Sequence, residues 1–451
     1  MKFGICYYPE HWPEDRWAAD ARWLRGLGVT IVRMAEFAWS RLEPEEGRFD
    51  FGWLDRAVAV FAAEGFEIVL GTPTAAPPDW LSQSYPSTLP VDDQGRRRKP
   101  GGRRHYCPNN AEYHAHTRRI VAALAERYGP HPAVRGWQID NEFGGGRTAR
   151  CYCPVCAEHF RIWLRARYGS LPALNAAWGT VFWSAEFHDW AHVEPPILNL
   201  ATPNPSQVLD YYRFSSDSVT AYQQLQIDVL RATAPAAHFI THNFMGLYPD
   251  LDYFDLARAL SLATWDSYPT GNAYRWRDLL YGADQPDAAY AFDVGDPVIT
   301  GFAHDLTRGL LGKPFWIMEQ QAGHVNWGAV NHLILPATVR LWTWHALAAG
   351  ADAIVYFRER AALDAQEQYH SGLLHHDGTP DVGGRALETL QAERPALDAL
   401  TAAPPRAAVA LFWNYADLWS LQLQPHTKDF GYLRHLFVYY RALQRLGIPV
   451  D

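Results

Sequence analysis

Short apolar runs rich in β-branched and aromatic residues alternate with longer amphipathic stretches along most of the chain. Eight of these runs predict strands, at 2–9, 30–37, 67–74, 134–142, 239–244, 262–268, 315–320 and 353–359. The stretches between them, such as "EDRWAADARWLRGLG", carry apolar residues at helical spacing and end at glycine. Eight strands alternating with helices predict an α/β fold, the (β/α)8 TIM barrel.

Two segments depart from this alternation. A long insertion, roughly 143–235, follows the fourth predicted strand and contains three of the five cysteines. The segment 396–408 carries a double proline and predicts a domain boundary, so we expect a catalytic barrel over 1–395 and a linker over 396–408. The pattern over 409–451 predicts a strand, a helix and the beginning of another strand, which is the incomplete start of a second α/β domain. We therefore expect the chain to be a fragment of a longer protein.

Composition narrows the class of protein. Hydrophobic residues make up 48% and charged residues 20% of the chain, as in an ordinary packed globule. A formal net charge of −9 argues against a nucleic-acid partner, although "GRRRKPGGRR" is locally basic. No stretch approaches ~20 apolar residues, and the first residues lack the apolar core of a signal peptide. We expect a cytoplasmic protein that does not contact a membrane.

Aromatic residues reach 14%, including 19 tryptophans. Tryptophan at this level is typical both of protein cores and of clefts in which its flat apolar face packs on a sugar ring. For any single tryptophan the composition leaves both interpretations open.

Two glutamates occupy positions typical of barrel catalysts. Glu142 ends the fourth predicted strand and Glu319 ends the seventh, each after an apolar run. Catalytic residues of TIM barrels lie at the carboxyl ends of strands. Taken singly, either glutamate is more typical of a solvated cap or an ion-pair partner. Together across the barrel mouth, the two predict acid-assisted glycoside cleavage, in which one protonates the leaving oxygen and the other attacks the anomeric carbon or activates water.

The chain resembles glycoside hydrolase family 42, the bacterial β-galactosidases. The resemblance runs from residue 1 to about 450, and it is carried by "CYYPEHWPE", "VRMAEFAWSRLEPEEGRFDFGWLD", "TPTAAPPDWL", "HYCPNN", "WQIDNEFG" and "EQYHSGL". It implies that Glu142 is the acid/base and Glu319 the nucleophile in a double displacement on terminal β-D-galactosyl residues. We then expect carboxyl groups ~5–5.5 Å apart. We also expect a raised pKa for Glu142, from partial burial and the negative charge of Glu319.

The same resemblance implies a galactose pocket. Its expected sugar-binding residues are Arg33, Arg103, Asn141, Trp183, Tyr268, Trp327, Glu367 and His370. Several alternatives remain open: Arg33 as a barrel-mouth ion pair, Arg104 in place of Arg103, and Tyr268 as a group that only closes the barrel top. Trp178 is expected to serve packing.

Glu367 and His370 lie three residues apart, so a helical turn places both on one side. An E-x-x-H pair is found in metal sites, but no further ligands cluster nearby, and the resemblance makes the pair hydrogen-bonding partners of the galactose hydroxyls. The eighth strand departs from the family, because Glu359 stands in "YFRER" where tryptophan is common. We expect this glutamate to place charge near the barrel mouth.

Four cysteines predict a metal site. Cys151, Cys153 and Cys156 form C-x-C-x2-C, and Cys107 lies upstream in "HYCPNN". Four thiolates in two separate pieces of chain suit one tetrahedral zinc ion, which the resemblance makes structural. Such an ion has no open coordination position, so we expect it to clamp the loop after the fourth strand and not to activate water. Four reduced thiols without metal are the alternative.

Other interpretations keep or discard the catalysis. The same machinery suits β-D-fucosides or α-L-arabinopyranosides, which share the ring stereochemistry of galactose. A galactoside-binding protein without catalysis is the alternative from another class, and the presence of both glutamates argues against it. The resemblance also implies a homotrimer for the full-length protein, with neighbouring subunits completing the wall of the active site.

Overall fold

Parallel strands form a closed sheet at the centre of the molecule. The structure, a computed structural model, describes residues 1–271, 273–282 and 290–451. Within them the strands are β1 (Lys2–Cys6), β2 (Val29–Met34), β3 (Glu67–Gly71), β4 (Val134–Gln138), β5 (Phe239–Thr241), β6 (Asn243–Phe244), β7 (Thr264–Ser267), β8 (Phe315–Gln321) and β9 (Ala351–Phe357). Their order is β5-β4-β3-β2-β1-β9-β8-β7-β6. Because only His242 separates β5 from β6, the two are halves of one barrel strand, and the eight-stranded TIM barrel is confirmed.

Helices surround this sheet. They are α1 (Glu14–Gly26), α2 (Trp39–Leu42), α3 (Gly52–Ala63), α4 (Asp79–Ser84), α5 (Ala111–Tyr128), α6 (Pro154–Tyr168), α7 (Leu171–Trp178), α8 (Pro205–Thr233), α9 (Tyr253–Ala257), α10 (Ala273–Tyr281), α11 (Tyr290–Asp293), α12 (Pro297–Leu311), α13 (Thr338–Ala348), α14 (Val382–Ala392), α15 (Arg394–Thr401), α16 (Tyr415–Leu423) and α17 (Tyr432–Arg445). None of those in the described residues is long and apolar enough to cross a membrane.

Most strands are shorter than the sequence predicts, and the difference matters at β4. The predicted strand continues to Glu142, whereas β4 ends at Gln138. Asp140 and Glu142 have φ angles of 52° and 46°, which an extended strand does not permit. Glu142 therefore lies on a tight turn just above the barrel. Backbone of this kind is concentrated at functional sites, where the surrounding structure holds it in place.

Small residues and large rings alternate inside the barrel. Ile31, Val69 and Ala353 form one buried layer. Gly136 in β4 leaves room for the ring of Phe239, since a Cβ at that position would lie 2.5 Å from the ring. The lower barrel is consequently a packed core, and the polar side chains gather at the carboxyl ends of the strands.

The last residues of the chain pack on the outside of the barrel. Tyr440 in α17 donates a hydrogen bond of 2.6 Å to Asp305 in α12, and Trp419 in α16 donates one of 2.7 Å to the Pro249 carbonyl. The strand expected near 409 is reduced to an isolated parallel bridge between Val409 and Val450. The division into domains at 396–408 stays a prediction.

Candidate active site

The carboxyl ends of the strands enclose a cavity of about 320 Å³. Its wall includes Arg103, Arg104, Glu142, Asp266, Tyr268, Glu319, Trp327, Glu367 and His370. Glu142 projects from the turn after β4, and Glu319 lies in β8. Most of the residues expected to form the site are thus brought together from segments far apart in sequence.

Three acids form the centre of this cavity. One carboxyl oxygen from each of Glu142, Asp266 and Glu319 lies within 4.8 Å of the others. We call these three residues the carboxylate cluster. Because like charges this close strongly disfavour full ionisation, their protonation states must depend on one another.

Glu319 is held from two sides. Its Oε1 accepts a hydrogen bond of 2.6 Å from Arg33, and its Oε2 accepts one of 2.6 Å from the Tyr268 hydroxyl. Both donors favour the ionised form. Burial nevertheless raises the pKa of Glu319 above its ordinary value, since it outweighs the attraction of Arg33, and the charge of Glu142 adds to the rise.

Glu142 differs from expectation. Burial acts to raise its pKa, but the nearby guanidinium groups of Arg104 and Arg103 outweigh burial and hold the pKa below its ordinary value. The Arg104 Nη1 donates to Glu142 Oε2 at 3.1 Å, and Arg103 lies 3.9 Å from the same oxygen. The predicted raised pKa is therefore wrong for the sugar-free site. The prediction rested on the charge of Glu319, whereas two arginines turn towards Glu142 and outweigh it.

The glycines after Glu142 shape the cavity wall. Gly144 and Gly146 have φ angles of 82° and 69°, which suit glycine, and a Cβ on Gly145 would lie 2.7 Å from the Arg104 guanidinium carbon. Gly145 and Gly146 both line the cavity. The loop therefore supports Arg104 at the edge of the cavity.

Arg33 and Asn141 lie just beneath the cavity surface. Arg33 is 0% exposed and contacts Glu36 as well as Glu319, each at 2.6 Å. Asn141 is buried, and its Nδ2 lies 3.3 Å from Glu142 Oε2. Arg33 thus forms the barrel-mouth ion pair considered above. The expected sugar contacts of both residues stay predictions.

A buried amide connects the two sides of the cluster. Asn243 donates to Asn141 Oδ1 at 2.9 Å and to Asp266 Oδ2 at 2.6 Å, while its own Oδ1 accepts from the Glu142 backbone N–H at 3.1 Å. Neither Asn243 nor Asp266 was among the residues predicted for the site. The sequence held one signal, because in the predicted strand 262–268 Asp266 lies two residues before Tyr268 and so faces the same side.

Glu367 and His370 face the cavity from one turn, as predicted. The His370 backbone N–H donates to the Glu367 carbonyl at 2.9 Å. Burial lowers the pKa of His370 to about 4, so the ring is neutral near pH 7, and its Nε2 has no partner among the described residues. Arg358 lies 3.6 Å from Glu367. The pair therefore offers the cavity one carboxylate and one neutral imidazole nitrogen.

The two expected tryptophans are separated. Trp327 lines the cavity, with its ring 5.4 Å from that of Tyr268 in an edge-to-face contact. Trp183 is 78% exposed and lines a different cavity, which is formed mainly by residues 178–207 of the insertion. The structure does not bring Trp183 to the carboxylate cluster. Trp178 is buried, in keeping with the packing role expected for it.

Glu359 does not place charge at the barrel mouth. It is buried and does not line the cavity, and neither carboxyl oxygen has a hydrogen-bond partner among the described residues. Burial, with the nearby charge of Asp20 as the next cause, raises its pKa to about 8. Near pH 7 the side chain is mainly neutral, so the expectation of a charged group there is wrong.

The four predicted cysteines meet beside the site, and we call them the cysteine cluster. Their Sγ atoms all lie within 4.8 Å of one another, and Cys107 lies 3.6 Å from Cys153 and 3.4 Å from Cys156. These separations are too long for disulfides. They are close to the ~3.8 Å between thiolates that share one tetrahedral zinc at ~2.3 Å. The Asn109 side-chain amide and the Val91 backbone N–H also point at cluster sulfurs. The cluster can hold a metal ion.

The chain is similar in sequence to known β-galactosidases. The sequence profile of glycosyl hydrolase family 42, described as β-galactosidase, matches residues 6–397. The β-galactosidase of Thermus thermophilus is 52% identical over 450 residues, which are 99% of this chain and 68% of that protein. The chain thus spans about two thirds of the length of such relatives.

Solved structures agree. The polyextremophilic β-galactosidase of the Antarctic haloarchaeon Halorubrum lacusprofundi superposes with a TM-score of 0.95 at 44% identity, over 100% of this chain and 66% of that one. A family 5 enzyme from Streptomyces cattleya, at 14% identity and a TM-score of 0.61, shares the fold alone. The chain therefore belongs to glycoside hydrolase family 42, the β-galactosidase family, and is a glycoside hydrolase.

Proposed function

We propose that the protein is a retaining β-galactosidase that releases terminal non-reducing β-D-galactosyl residues by double displacement. The observation that carries this proposal is the approach of Glu142 and Glu319, whose nearest carboxyl oxygens lie within 4.8 Å. Retaining glycosidases hold the two carboxyl groups ~5–5.5 Å apart, whereas inverting enzymes leave ~6.5–9.5 Å for a water molecule. The separation supports retention.

In the first step Glu319 attacks the anomeric carbon while Glu142 protonates the departing oxygen. Arg33 and Tyr268, which both donate to Glu319, keep its lone pairs aligned and favour the ionised form that attacks. A covalent galactosyl-enzyme results, and the charge of Glu319 is lost in the ester.

In the second step Glu142 removes a proton from water, which then attacks the galactosyl-enzyme. Arg103 and Arg104 favour ionised Glu142, which is the form that this step requires. The same arginines oppose the protonated form needed in the first step. We infer that kcat/KM depends on a minor population in which Glu142 is protonated while Glu319 is ionised.

Galactose selectivity is assigned to Glu367 and His370, with Trp327 as an apolar surface for the sugar ring. Their side chains line the cavity, and within the described residues His370 Nε2 has no hydrogen-bond partner. A site built to bond a hydroxyl rejects an isomer that leaves its polar groups unpaired. Such contacts can separate the axial 4-hydroxyl of galactose from the equatorial one of glucose.

For the cysteine cluster we propose one structural zinc ion per chain. Cys107, Cys151, Cys153 and Cys156 would hold it, and a four-thiolate ion supplies rigidity and no reactive water. Cys107 precedes α5, and Cys151, Cys153 and Cys156 lie in the insertion after β4. The ion would therefore fasten the loop that carries Arg104 to the loop that carries Glu142.

A cytoplasmic location and a trimer of the full-length protein also remain proposals. All five cysteines are free thiols, which suits a reducing compartment. Light scattering of the purified protein measures the oligomeric state directly.

Glu319→Ala tests the proposed function. We expect kcat/KM for nitrophenyl β-galactoside to fall on the order of 10⁴-fold or more, because the nucleophile is lost. Glu142→Ala should cost about 10²–10⁴-fold with lactose, whose leaving group needs protonation. Glu388→Ala, on the exposed face of α14, is the matched control and should leave activity unchanged.

The stereochemistry of the first product gives a second readout. Proton NMR during turnover should show β-galactose first, with the α-anomer forming later by mutarotation. Initial α-galactose, or an active Glu319→Ala variant with intact folding, would overturn the proposed mechanism.

A further inference from the structure

The carboxyl and guanidinium groups around the carboxylate cluster do not match in number. Glu367 pairs separately with Arg358, and the remaining groups are four acids and three arginines, namely Glu36, Glu142, Asp266 and Glu319 with Arg33, Arg103 and Arg104. If every group were charged, the cluster would carry one uncompensated negative charge in a water-poor space. Burying an unpaired charge is strongly unfavourable, so one acid is expected to keep its proton.

The arginines leave out Asp266. Arg33 contacts Glu36 and Glu319, while Arg103 and Arg104 both contact Glu142. Asp266 alone of the four acids forms no ion pair within the described part of the chain. Its side chain is only 5% exposed, yet the residue forms part of the cavity wall. Asp266 is therefore the acid expected to keep its proton.

Hydrogen-bond directions place that proton on one oxygen. The Glu142 backbone N–H can only donate, and it donates to Asn243 Oδ1 at 3.1 Å. Asn243 Nδ2 must then be the amide end that faces Asp266 Oδ2 at 2.6 Å and Asn141 Oδ1 at 2.9 Å. Asp266 Oδ2 is consequently an acceptor, and Oδ1, which has no partner among the described residues, is the oxygen free to carry hydrogen.

We propose that Asp266 is kept as a neutral carboxylic acid and is a positioning residue of the site, acting through Asn243 on Asn141. This inference rests on the proposed function. As a neutral acid, Asp266 fixes the orientation of the Asn243 amide and hence of the Asn141 amide, whose Nδ2 faces Glu142 at 3.3 Å. It does so without adding a third negative charge within 4.8 Å of Glu319 and Glu142.

The electrostatics of the side chain agree with this geometry. Burial raises the pKa of Asp266 well above its ordinary value, the charges of Glu319 and Glu142 raise it further, and Arg33 and the Asn243 amide oppose the rise. Ionising Asp266 would repel the nucleophile and the acid/base at once. A neutral hydrogen-bonding group is the one that this position tolerates.

Asparagine imitates the neutral acid, which gives a direct test. In Asp266→Asn the side-chain oxygen can still accept from Asn243, and the NH₂ group replaces the O–H. We expect kcat/KM for nitrophenyl β-galactoside to stay within about threefold of the wild type. In Asp266→Ala the Asn243 amide loses its acceptor, and we expect kcat to fall by about tenfold to a hundredfold, the cost of a buried unsatisfied donor.

A spectroscopic measurement reports the proton without depending on activity. With ¹³C-carboxyl aspartate, the infrared difference between the wild type and Asp266→Asn near neutral pH should contain the carbonyl stretch of a protonated acid. A difference that contains only ionised-carboxylate bands overturns the proposal. Because this reading needs only folded protein, it decides the matter even if Asp266→Ala does not fold.

The outcomes separate this inference from the proposed function. If the wild type hydrolyses galactosides and Glu319→Ala does not, but Asp266→Asn is as impaired as Asp266→Ala, the neutral-acid inference is wrong while the proposed function stands. It is equally wrong if both Asp266 variants match the wild type. If the wild type does not cleave galactosides, the proposed function fails, and the infrared difference still shows whether Asp266 carries a proton.

Discussion

The carboxylate cluster and the cysteine cluster both crowd ionisable groups into a small buried space, but they relieve the crowding differently. At the barrel mouth, arginines and a retained proton compensate the charges of Glu142, Asp266 and Glu319. In the cysteine cluster the sulfurs face one another at distances that suit a shared metal. One arrangement leaves groups able to exchange protons, and the other is able to hold one metal ion with all four sulfurs.

The two clusters also differ in how the chain assembles them. The carboxylate cluster takes its members from the turn after β4, from β7 and from β8, so it depends on the register of a closed barrel. The cysteine cluster takes three members from six consecutive residues and adds Cys107. The carboxylate cluster, whose acids differ in pKa, is thus assembled by the fold. The cysteine cluster is assembled largely by local sequence.

The largest expected effect on stability comes from removing one thiol of the cysteine cluster. Cys153→Ala leaves three ligands for the ion, and we expect the thermal midpoint to fall by roughly 5–10 °C because metal binding contributes to folding. Metal analysis of the wild type should give close to one zinc per chain. Cys6→Ala is the matched control, since Cys6 is a buried thiol outside the cluster, and it should keep the zinc.

The same variant shows whether the metal takes part in the chemistry. If zinc is scaffolding, the residual activity of Cys153→Ala should keep the pH profile of the wild type. A changed profile would indicate that the ion acts on the carboxylate cluster. Less than half an equivalent of zinc in freshly purified wild type would favour four reduced thiols.

Arg104→Gln tests how the arginines set the pKa of Glu142 in the carboxylate cluster. The Arg104 charge holds the pKa of Glu142 below that of Glu319, so the low-pH limb of kcat/KM follows Glu142 and the high-pH limb follows Glu319. Without that charge the pKa of Glu142 rises, so the low-pH limb should move to higher pH. The measurement is kcat/KM for lactose against pH.

Arg103→Gln provides the matched control for this shift. Arg103 lies 3.9 Å from Glu142 Oε2, against 3.1 Å for Arg104, so its removal should move the low-pH limb less. A low-pH limb that stays in place in both variants would mean that Glu142 does not set it.

The sequence predicted the positions of Glu142 and Glu319 because the carboxyl end of a barrel strand can be recognised from an apolar run that stops at a polar residue. It could not predict their pKa values. Those depend on which way Arg103 and Arg104 turn, and the turn is set by the glycine loop, where Gly145 packs against Arg104. Spacing along the chain carries no information about that contact.

Asp266 and Asn243 were missed for a related reason. Both lie in short strands, where a polar residue is as easily a structural partner as a functional one, and their importance comes from contacts across three strands. The cysteine cluster was predictable because its spacing is itself the signal. Glu359 was read as a charge because a sequence shows ionisable residues but not the burial that neutralises them.

The smallest expected effects come from two tryptophans, Trp327 in the wall of the active-site cavity and Trp183 on the insertion. Trp327→Ala removes an apolar surface from the cavity wall, and we expect kcat/KM to fall roughly tenfold. Trp183→Ala changes a largely exposed ring on the insertion, so in this chain we expect a change within about twofold. Parallel kinetics of the two variants with the same nitrophenyl galactoside decide between them. An equal loss in both would mean that the insertion, which carries Trp183, reaches the sugar during turnover.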